Sequence, residues 1–250
     1  MSLTLIGLGL YSERDLSLNA IEEAKNSDIV YIELYTSKWY GSIKNLEKLI
    51  GKEIIELKRR DLEENASKIL EESKRSKVSV FVEGDPLVAT THSSLALDAR
   101  KHGVKTKIIH NASITSAIGE TGLHTYKFGP TVTIPFPEKT KGKPPESIFE
   151  IIDENKKSGW HTLCLLDITA ESSKYMTVNE GLDILLSSGR MDKKDAIIVF
   201  AKAGSDKPLI LHESIENIVK LNIKDVPAVI IIPGKLHFTE KEYLEQTQNG

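Results

Sequence analysis

Three short loops, each directly after an apolar run, hold residue types that suit a ligand-binding site. They are residues 7–10 (Gly-Leu-Gly-Leu), 83–91 (Glu-Gly-Asp-Pro-Leu-Val-Ala-Thr-Thr) and 110–116 (His-Asn-Ala-Ser-Ile-Thr-Ser). Glycine lets the backbone pass close to a ligand, while Asp and Ser place a polar group at a turn. Open α/β sheets bind ligands at the carboxyl ends of their strands, so the three loops predict one crevice at such an edge.

Each loop also has a structural interpretation. The glycine pair of the first loop lacks the third glycine of the dinucleotide fingerprint, because Ser12 stands in its place, and no Walker A lysine motif occurs. Asp85 can simply cap the turn in which Pro86 fixes φ. Ser113 can be the N-cap of a helix. The loops alone therefore predict a crevice without identifying its ligand.

The apolar pattern around these loops predicts an α/β fold. Short β-branched runs alternate with segments of helical length and period, which is typical of strands paired largely in parallel. Each of the three loops then follows a predicted strand. The predicted strands span residues 3–7, 29–34, 53–57, 78–82 and 104–109, and the predicted helices span 16–24, 43–49, 62–74 and 94–101.

The alternation stops at residues 126–145, where proline and glycine are frequent. A second α/β series follows, and its last helix is predicted from Glu240, with Thr239 and Glu242 at the spacing of a capping box. We therefore predict two domains, 1–115 and 116–250. The second series has predicted helices at 148–156, 178–186 and 215–221 and predicted strands at 161–168, 196–201, 209–212 and 228–232.

Composition argues against several classes of function. The 33 Lys and Arg residues are outnumbered by 36 Asp and Glu residues, whereas nucleic-acid-binding proteins usually carry a basic surplus. The basic run 58–60 is followed at once by acidic residues, and we interpret it as a solvated face. The single cysteine, Cys164, lies in an apolar run and predicts a buried thiol, and the seven histidines show no metal-ligand spacing. Neither a leader pattern nor an apolar run of about 18 residues occurs, so we expect a cytoplasmic protein that does not enter the membrane.

Five segments, in order along the chain, resemble the diphthine synthases, a branch of the tetrapyrrole-methylase superfamily. The resemblance covers essentially the whole chain, and the segment at 84–92 is specific. Other branches have a further glycine after Gly-Asp-Pro, where this chain has residues 88–91, which favours diphthine synthases over porphyrin or ribosomal-RNA methylases. The segments are Gly-Leu-Gly-Leu at 7–10, Gly-Asp-Pro-Leu-Val-Ala-Thr-Thr-His at 84–92, Ser-Ile at 113–114, Thr-Gly-Leu-His-Thr-Tyr-Lys-Phe-Gly at 121–129 and Pro-Gly-Lys-Leu-His at 233–237.

The resemblance implies an α/β fold of two αβα domains of the tetrapyrrole methylase type, with S-adenosylmethionine in a cleft between them, and a homodimer. Several of the implied contact residues are apolar or small, so their contacts would often come from backbone groups. The family pattern has histidine at position 228, where this chain has alanine, so a side-chain contact is lost there. By position, the resemblance assigns cofactor contacts to Leu10, Asp85, Val88, Ser113, Ile114, Leu166, Ala203 and Ala228.

The activity that the resemblance implies is methylation of translation elongation factor 2. The amino group of a 3-amino-3-carboxypropyl-modified histidine would receive methyl groups to give diphthine, with S-adenosylhomocysteine as the second product. Transfer from a sulfonium needs alignment of donor and acceptor, but neither a metal nor a covalent nucleophile. The acceptor amine must be neutral, which requires a base or a desolvated cleft. Asp85 is our candidate for holding the cationic cofactor.

Several assignments stay open at this point. His92, His124 and His237 could assist the proton but are more often structural residues, so we name no general base. A tetrapyrrole is an alternative substrate, and a module that binds S-adenosylmethionine without transferring its methyl group is an alternative to an enzyme. Residues 128–137 combine apolar residues with prolines, and we expect them to take part in the dimer.

Overall fold

The computed structural model describes residues 1–63, 65–169 and 172–247, and the chain divides into two compact units, residues 1–115 and 116–250. Each unit has a five-stranded sheet and an apolar core of its own. Helices pack against both sheets, so the predicted α/β class is confirmed. Within the described ranges, no helix is long and apolar enough to cross a membrane.

The sheet of the first unit consists of β1 (Ser2–Gly7), β2 (Ile29–Glu33), β3 (Ile55–Leu57), β4 (Lys77–Val82) and β5 (Lys105–Ile109). All neighbours pair in parallel, in the order β3-β2-β4-β1-β5. Strand β1 therefore lies between β4 and β5, and the carboxyl ends of these three strands are adjacent. This order brings the three sequence loops to one edge of the sheet.

The helices of the first unit cover both faces of this sheet. Leu3 and Leu5 of β1 belong to one apolar cluster and Ile6 to another, because successive side chains of a strand point to opposite faces. The first cluster includes residues of the third, fourth and fifth helices, and the second includes residues of the first two. The helices are α1 (Leu18–Lys25), α2 (Ile43–Ile50), α3 (Arg59–Glu63), α4 (Ser67–Ser73) and α5 (His92–Lys101).

The single helix predicted at residues 62–74 is wrong. Helix α3 ends at Glu63 and α4 begins at Ser67, and position 64 of the predicted helix lies outside the described residues. The backbone N–H of Asn65 donates to the carbonyl of Arg60, five residues earlier, so the helical i to i−4 pattern is interrupted there. Asparagine is also a weak helix former, which a period-based prediction does not weigh.

The second unit differs from the first in how its strands pair. The five strands of its main sheet follow the order β11-β10-β12-β7-β6, and β6 pairs with β7 in parallel while every other neighbour is antiparallel. Strands β8 and β9 form a separate antiparallel pair. The strands are β6 (Val132–Ile134), β7 (Thr162–Leu166), β8 (Ile168–Thr169), β9 (Lys174–Tyr175), β10 (Ala196–Ala201), β11 (Leu209–Ser214) and β12 (Ala228–Ile232).

The capping box predicted at Thr239 and Glu242 is wrong, because the last helix begins at Phe238. Glu240 instead accepts a hydrogen bond from the backbone N–H of His237, at 2.6 Å. Cys164 is fully buried, as predicted, and burial raises the pKa of its thiol. The remaining helices are α6 (Ile114–Ala117), α7 (Glu146–Ser158), α8 (Val178–Ser187), α9 (Ile215–Leu221) and α10 (Phe238–Thr247).

Candidate functional site

The loops after β1 and β4 are joined by a pair of backbone hydrogen bonds. The N–H of Gly9 donates to the carbonyl of Gly84 at 3.2 Å, and the N–H of Gly84 donates to the carbonyl of Gly9 at 3.0 Å. Both residues have φ in the left-handed region that favours glycine, at 85° and 65°. A Cβ atom at Gly7 would lie 2.6 Å from the Gly84 carbonyl oxygen. The close approach of the two loops therefore explains the Gly-Leu-Gly motif.

Asn111 ties the loop after β5 to the loop after β1. Its Nδ2 donates to the carbonyl oxygens of Gly7 at 3.0 Å and Asp15 at 3.1 Å. The Asp15 carboxylate in turn accepts hydrogen bonds from the backbone N–H groups of Tyr11, at 2.7 Å, and Ser12, at 3.1 Å. All three loops thus meet at the carboxyl edge of the first sheet.

Asp85 is only 6% exposed, and both of its carboxylate oxygens have partners within the first unit. Oδ1 accepts a hydrogen bond from the backbone N–H of Leu87 at 3.0 Å, which closes the turn. Oδ2 accepts one from the backbone N–H of Asn111 at 3.2 Å and lies 2.8 Å from Nδ1 of His110. Asp85 therefore caps its turn and also links the loops after β4 and β5, while its predicted contact with a cofactor stays a prediction.

The other predicted contact residues of the first unit lie in the same loops. Leu10, Val88 and Ile114 are half-buried apolar residues, and Ser113 is buried directly before α6. Partly exposed apolar side chains near a buried carboxylate such as Asp85 suit a ligand with an apolar part and a positive charge.

The predicted contact residues of the second unit lie at one end of its sheet. Leu166 is the last residue of β7, Ala228 is the first of β12, and Ala203 follows β10 by two positions. The backbone N–H of Lys202 donates to the carbonyl of Pro227 at 2.9 Å, which holds the segment after β10 against the start of β12. All three contact residues are buried. That they share one ligand with the residues of the first unit stays a prediction.

Two buried glutamates that we did not predict lie at the carboxyl ends of β2 and β4. Glu33 is the last residue of β2 and is fully buried, and Glu83 directly follows β4 and is 7% exposed. His92, the first residue of α5, is 2% exposed, and its Nε2 lies 3.8 Å from Oε1 of Glu33. The sequence signal for Glu33 is a lone acidic residue at the end of an otherwise apolar strand.

Burial changes the ionisation of both carboxyl groups. It raises the pKa of Glu33 to about 7. Hydrogen bonds from the Thr36 hydroxyl at 2.8 Å and the Tyr35 N–H at 3.1 Å favour the ionised form, but their effect is smaller than that of burial. The pKa of Glu83 is raised well above its ordinary value, first by burial and then by the charge of Glu33. Because like charges in one buried site resist joint ionisation, this pair retains a proton near neutral pH.

A third buried carboxylate, Glu240, organises the segments 121–129 and 233–237. Its Oε1 accepts hydrogen bonds from the backbone N–H of His124 at 2.8 Å and from Nε2 of His161 at 3.1 Å. Its Oε2 accepts hydrogen bonds from the backbone N–H of His237 at 2.6 Å and from the Lys127 ammonium. Burial alone would raise the pKa of Glu240, but these hydrogen bonds lower it to about 2. The network gives both motif segments a structural role.

We missed Glu240 because we placed the start of the last helix two residues too late. With α10 beginning at Phe238, Glu240 stands three residues after His237, which is the capping-box spacing. Among the residues that the structure describes, no group of three or more His, Cys, Asp or Glu side chains is arranged to hold a metal ion.

Comparisons with known proteins give one consistent result. The family model described as Tetrapyrrole (Corrin/Porphyrin) Methylases matches residues 2–219. The diphthine synthase of Methanococcus maripaludis strain C6 is 42% identical over 250 residues, covering 97% of each chain. That of Methanocaldococcus jannaschii is 42% identical over 252 residues, again covering 97% of each chain. A crystal structure of diphthine synthase superposes with a TM-score of 0.90 at 37% identity and covers 98% of this chain and 95% of its own.

Proposed function

We propose that this chain methylates translation elongation factor 2 with S-adenosylmethionine as donor. The premise of this proposal is that the chain belongs to the tetrapyrrole methylase family and, within it, to the diphthine synthases. The family model and the full-length relatives confirm the resemblance read from the sequence motifs. They also support a methyltransferase of diphthamide biosynthesis. The full-length identity of 42% to diphthine synthases is the observation that carries this proposal.

The residues of both units fit S-adenosylmethionine, a cofactor that supplies an activated methyl group on a cationic sulfur. In the first unit, Leu10, Val88 and Ile114 offer half-buried apolar surface for the nucleoside, and Asp85 offers negative charge. In the second unit, Ala203 and Ala228 are small enough to leave backbone groups as contacts. The role of this chain is then to bind and align donor and acceptor, which is most of what methyl transfer requires.

The acceptor we propose is the amino group of a 3-amino-3-carboxypropyl-modified histidine of the elongation factor, which becomes diphthine. Such a substrate places the protein in the cytoplasm, where translation takes place. We also propose a homodimer. Within the stretch 128–137, Val132, Ile134 and Phe136 are buried in the core of the second unit, so a dimer contact of this stretch would have to involve its other residues.

Mass spectrometry of the modified histidine peptide tests the function directly. After incubation of the elongation factor with this protein and S-adenosylmethionine, we expect the peptide to gain methyl groups. A factor that lacks the 3-amino-3-carboxypropyl group is the matched control and should gain none. If the protein binds the cofactor but leaves the modified peptide unchanged, the substrate assignment is wrong, and a coloured-macrocycle assay then separates a tetrapyrrole methylase from a non-catalytic binding module.

A further inference from the structure

The loop after β5 begins with an exposed histidine that contacts a buried carboxylate. The side chain of His110 is 68% exposed, that of Asp85 is 7% exposed, and Nδ1 of His110 lies 2.8 Å from Oδ2 of Asp85. Because Asp85 lies in the loop after β4, the contact joins two of the three loops at the carboxyl edge of the sheet. Enzymes that use a histidine as proton acceptor commonly orient its imidazole with a buried carboxylate in this way.

The contact with Asp85 determines which nitrogen of the His110 ring carries the proton. The two oxygens of Asp85 also accept hydrogen bonds from the backbone N–H groups of Leu87 and Asn111, at 3.0 and 3.2 Å. A carboxylate accepts hydrogen bonds but cannot donate one, so Nδ1 of His110 is the donor. The neutral ring then has its free lone pair on Nε2, and the exposure of the side chain leaves that lone pair accessible to a ligand.

His110 lies beside the residues that we propose to hold the cofactor. It contacts Asp85 directly, and Ser113 and Ile114 follow it in the same loop. The amine to be methylated is carried by another protein and reaches only groups at the surface. This requirement excludes the buried Glu33 and Glu83 as proton acceptors and is met by the exposed His110.

The charged groups around His110 come from the two loops packed against its own. The loop after β4 contributes Asp85. The loop after β1 contributes Asp15, whose carboxylate accepts hydrogen bonds from the backbone N–H groups of Tyr11 at 2.7 Å and Ser12 at 3.1 Å, within its own loop. The charge in direct contact with His110 is therefore that of Asp85, and it stabilises the imidazolium that forms when Nε2 takes up a proton.

We propose that Nε2 of His110 takes up the proton that the acceptor amine loses before methylation, with Asp85 as the positioning residue; this rests on the proposed function. An N–H bond of the ammonium breaks, and its proton passes to Nε2. The nitrogen lone pair then forms a bond to the methyl carbon while the carbon–sulfur bond breaks, and the electron pair of that bond stays on sulfur to give S-adenosylhomocysteine. The imidazolium returns its proton to solvent, to which the side chain is exposed.

The test measures methyl transfer to the modified elongation factor at saturating S-adenosylmethionine for the parent chain, His110→Ala and His102→Ala. We expect His110→Ala to lower the turnover rate about 100-fold or more while binding S-adenosylhomocysteine within about twofold of the parent. His102 is the matched control, because it is also exposed in the first unit and its Nδ1 also lies 2.8 Å from an oxygen, the backbone carbonyl of Asp98. His102→Ala should therefore turn over like the parent.

Two further measurements separate proton transfer from a structural role. Added imidazole should raise the rate of His110→Ala about tenfold or more, because the site is open to solvent, and should leave the parent rate unchanged. Asp85→Asn should slow the parent chain but change the rate of His110→Ala little, because a positioning residue acts through the group that it orients.

Three results would overturn these roles. A folded His110→Ala variant that methylates within about twofold of the parent rate would remove His110 as the proton acceptor, and so would a slow variant that imidazole does not rescue. If His110→Ala does not fold, His110→Gln, which keeps an amide donor for Asp85, decides the matter in the same assay. Independent effects of Asp85→Asn and His110→Ala would remove Asp85 as the positioning residue. An inactive parent chain would overturn the proposed function itself, whereas an active parent with an equally active His110→Ala variant overturns only the role of His110.

Discussion

Replacing Glu33 by glutamine is expected to make the protein more stable, relative to the parent, at alkaline pH than in acid. Glutamine has the shape of the protonated glutamate and cannot ionise. In the folded protein the pKa of Glu33 is about 7, whereas its ordinary value is 4.5, because burial disfavours the carboxylate. The folded state therefore binds this proton more tightly than the unfolded state does.

The sign and size of the effect follow from that difference. The stabilisation that protonated Glu33 provides is complete below about pH 4.5 and is lost as the pH rises through about 7. Each pH unit between the two pKa values corresponds to about 1.4 kcal/mol, so the ionised form costs on the order of 3 kcal/mol of folding free energy. A stability difference of 1 kcal/mol moves the melting temperature of a chain of this size by about 2–4 °C.

The assay is thermal and urea unfolding of the parent and Glu33→Gln at pH 5 and pH 8, chosen on either side of about pH 7. The stability of the variant relative to the parent should be greater at pH 8. Glu56→Gln, at an exposed carboxylate on β3, should show no such change between the two pH values. If the difference between Glu33→Gln and the parent is the same at both pH values, Glu33 is not held in its protonated form by burial, and the reasoning fails.

Four other expectations concern the cofactor, the two structural carboxylates and the assembly. Val88→Asp should weaken the binding of S-adenosylhomocysteine, measured by calorimetry, about tenfold or more, while Leu87→Asp at the exposed neighbouring position should not. Equal effects of the two substitutions would contradict the assignment of Val88 as a contact residue. Asp85→Ala should lower the rate of methyl transfer about tenfold to a hundredfold and also lower the melting temperature, since it removes a buried hydrogen-bond acceptor. If the variant is less stable but transfers methyl groups at the normal rate, Asp85 has only a structural role in its turn. Glu240→Gln should lower the melting temperature at neutral pH. Since the pKa of Glu240 is about 2, the difference in melting temperature between variant and parent should shrink as the pH falls from 4.5 towards 2. A difference that stays constant with pH would refute the charge-based account. Light scattering should give a mass of about twice the 27.8 kDa of the chain. A monomeric mass at micromolar concentration would contradict the proposed dimer.

Local patterns predicted most elements of the fold. The apolar run at residues 29–34 became β2, Ile29–Glu33, and the loops after β1, β4 and β5 met because parallel neighbours share a carboxyl edge. Pairing in the second sheet was not predictable in the same way. Its strands β10 and β12 carry apolar runs like those of the first sheet but pair antiparallel, and direction depends on how the connections run rather than on composition.

The burial of these carboxylates could not be predicted from the type of each residue taken alone. Glu33 and Glu240 are charged residues that a composition-based reading places at the surface. Their burial depends on partners far along the chain, at Glu83 and His92 for the first and at His124 and His161 for the second. Motif spacing did locate the segments around His124 and His237, but it could not show that one carboxylate holds both.

The Glu240 network also implies that the two units complete their folding at different times during synthesis. The segment 121–129 depends in part on a carboxylate more than a hundred positions later, because the backbone N–H of His124 donates to Glu240 across 116 residues. A nascent chain has all the strands of the first sheet once residue 109 has emerged, and domains generally fold as units as they leave the ribosome. The second unit, in contrast, cannot complete this network until its final helix has been made. C-terminal truncations or fusions that disturb α10 are therefore expected to leave a folded first unit attached to an incompletely folded second one.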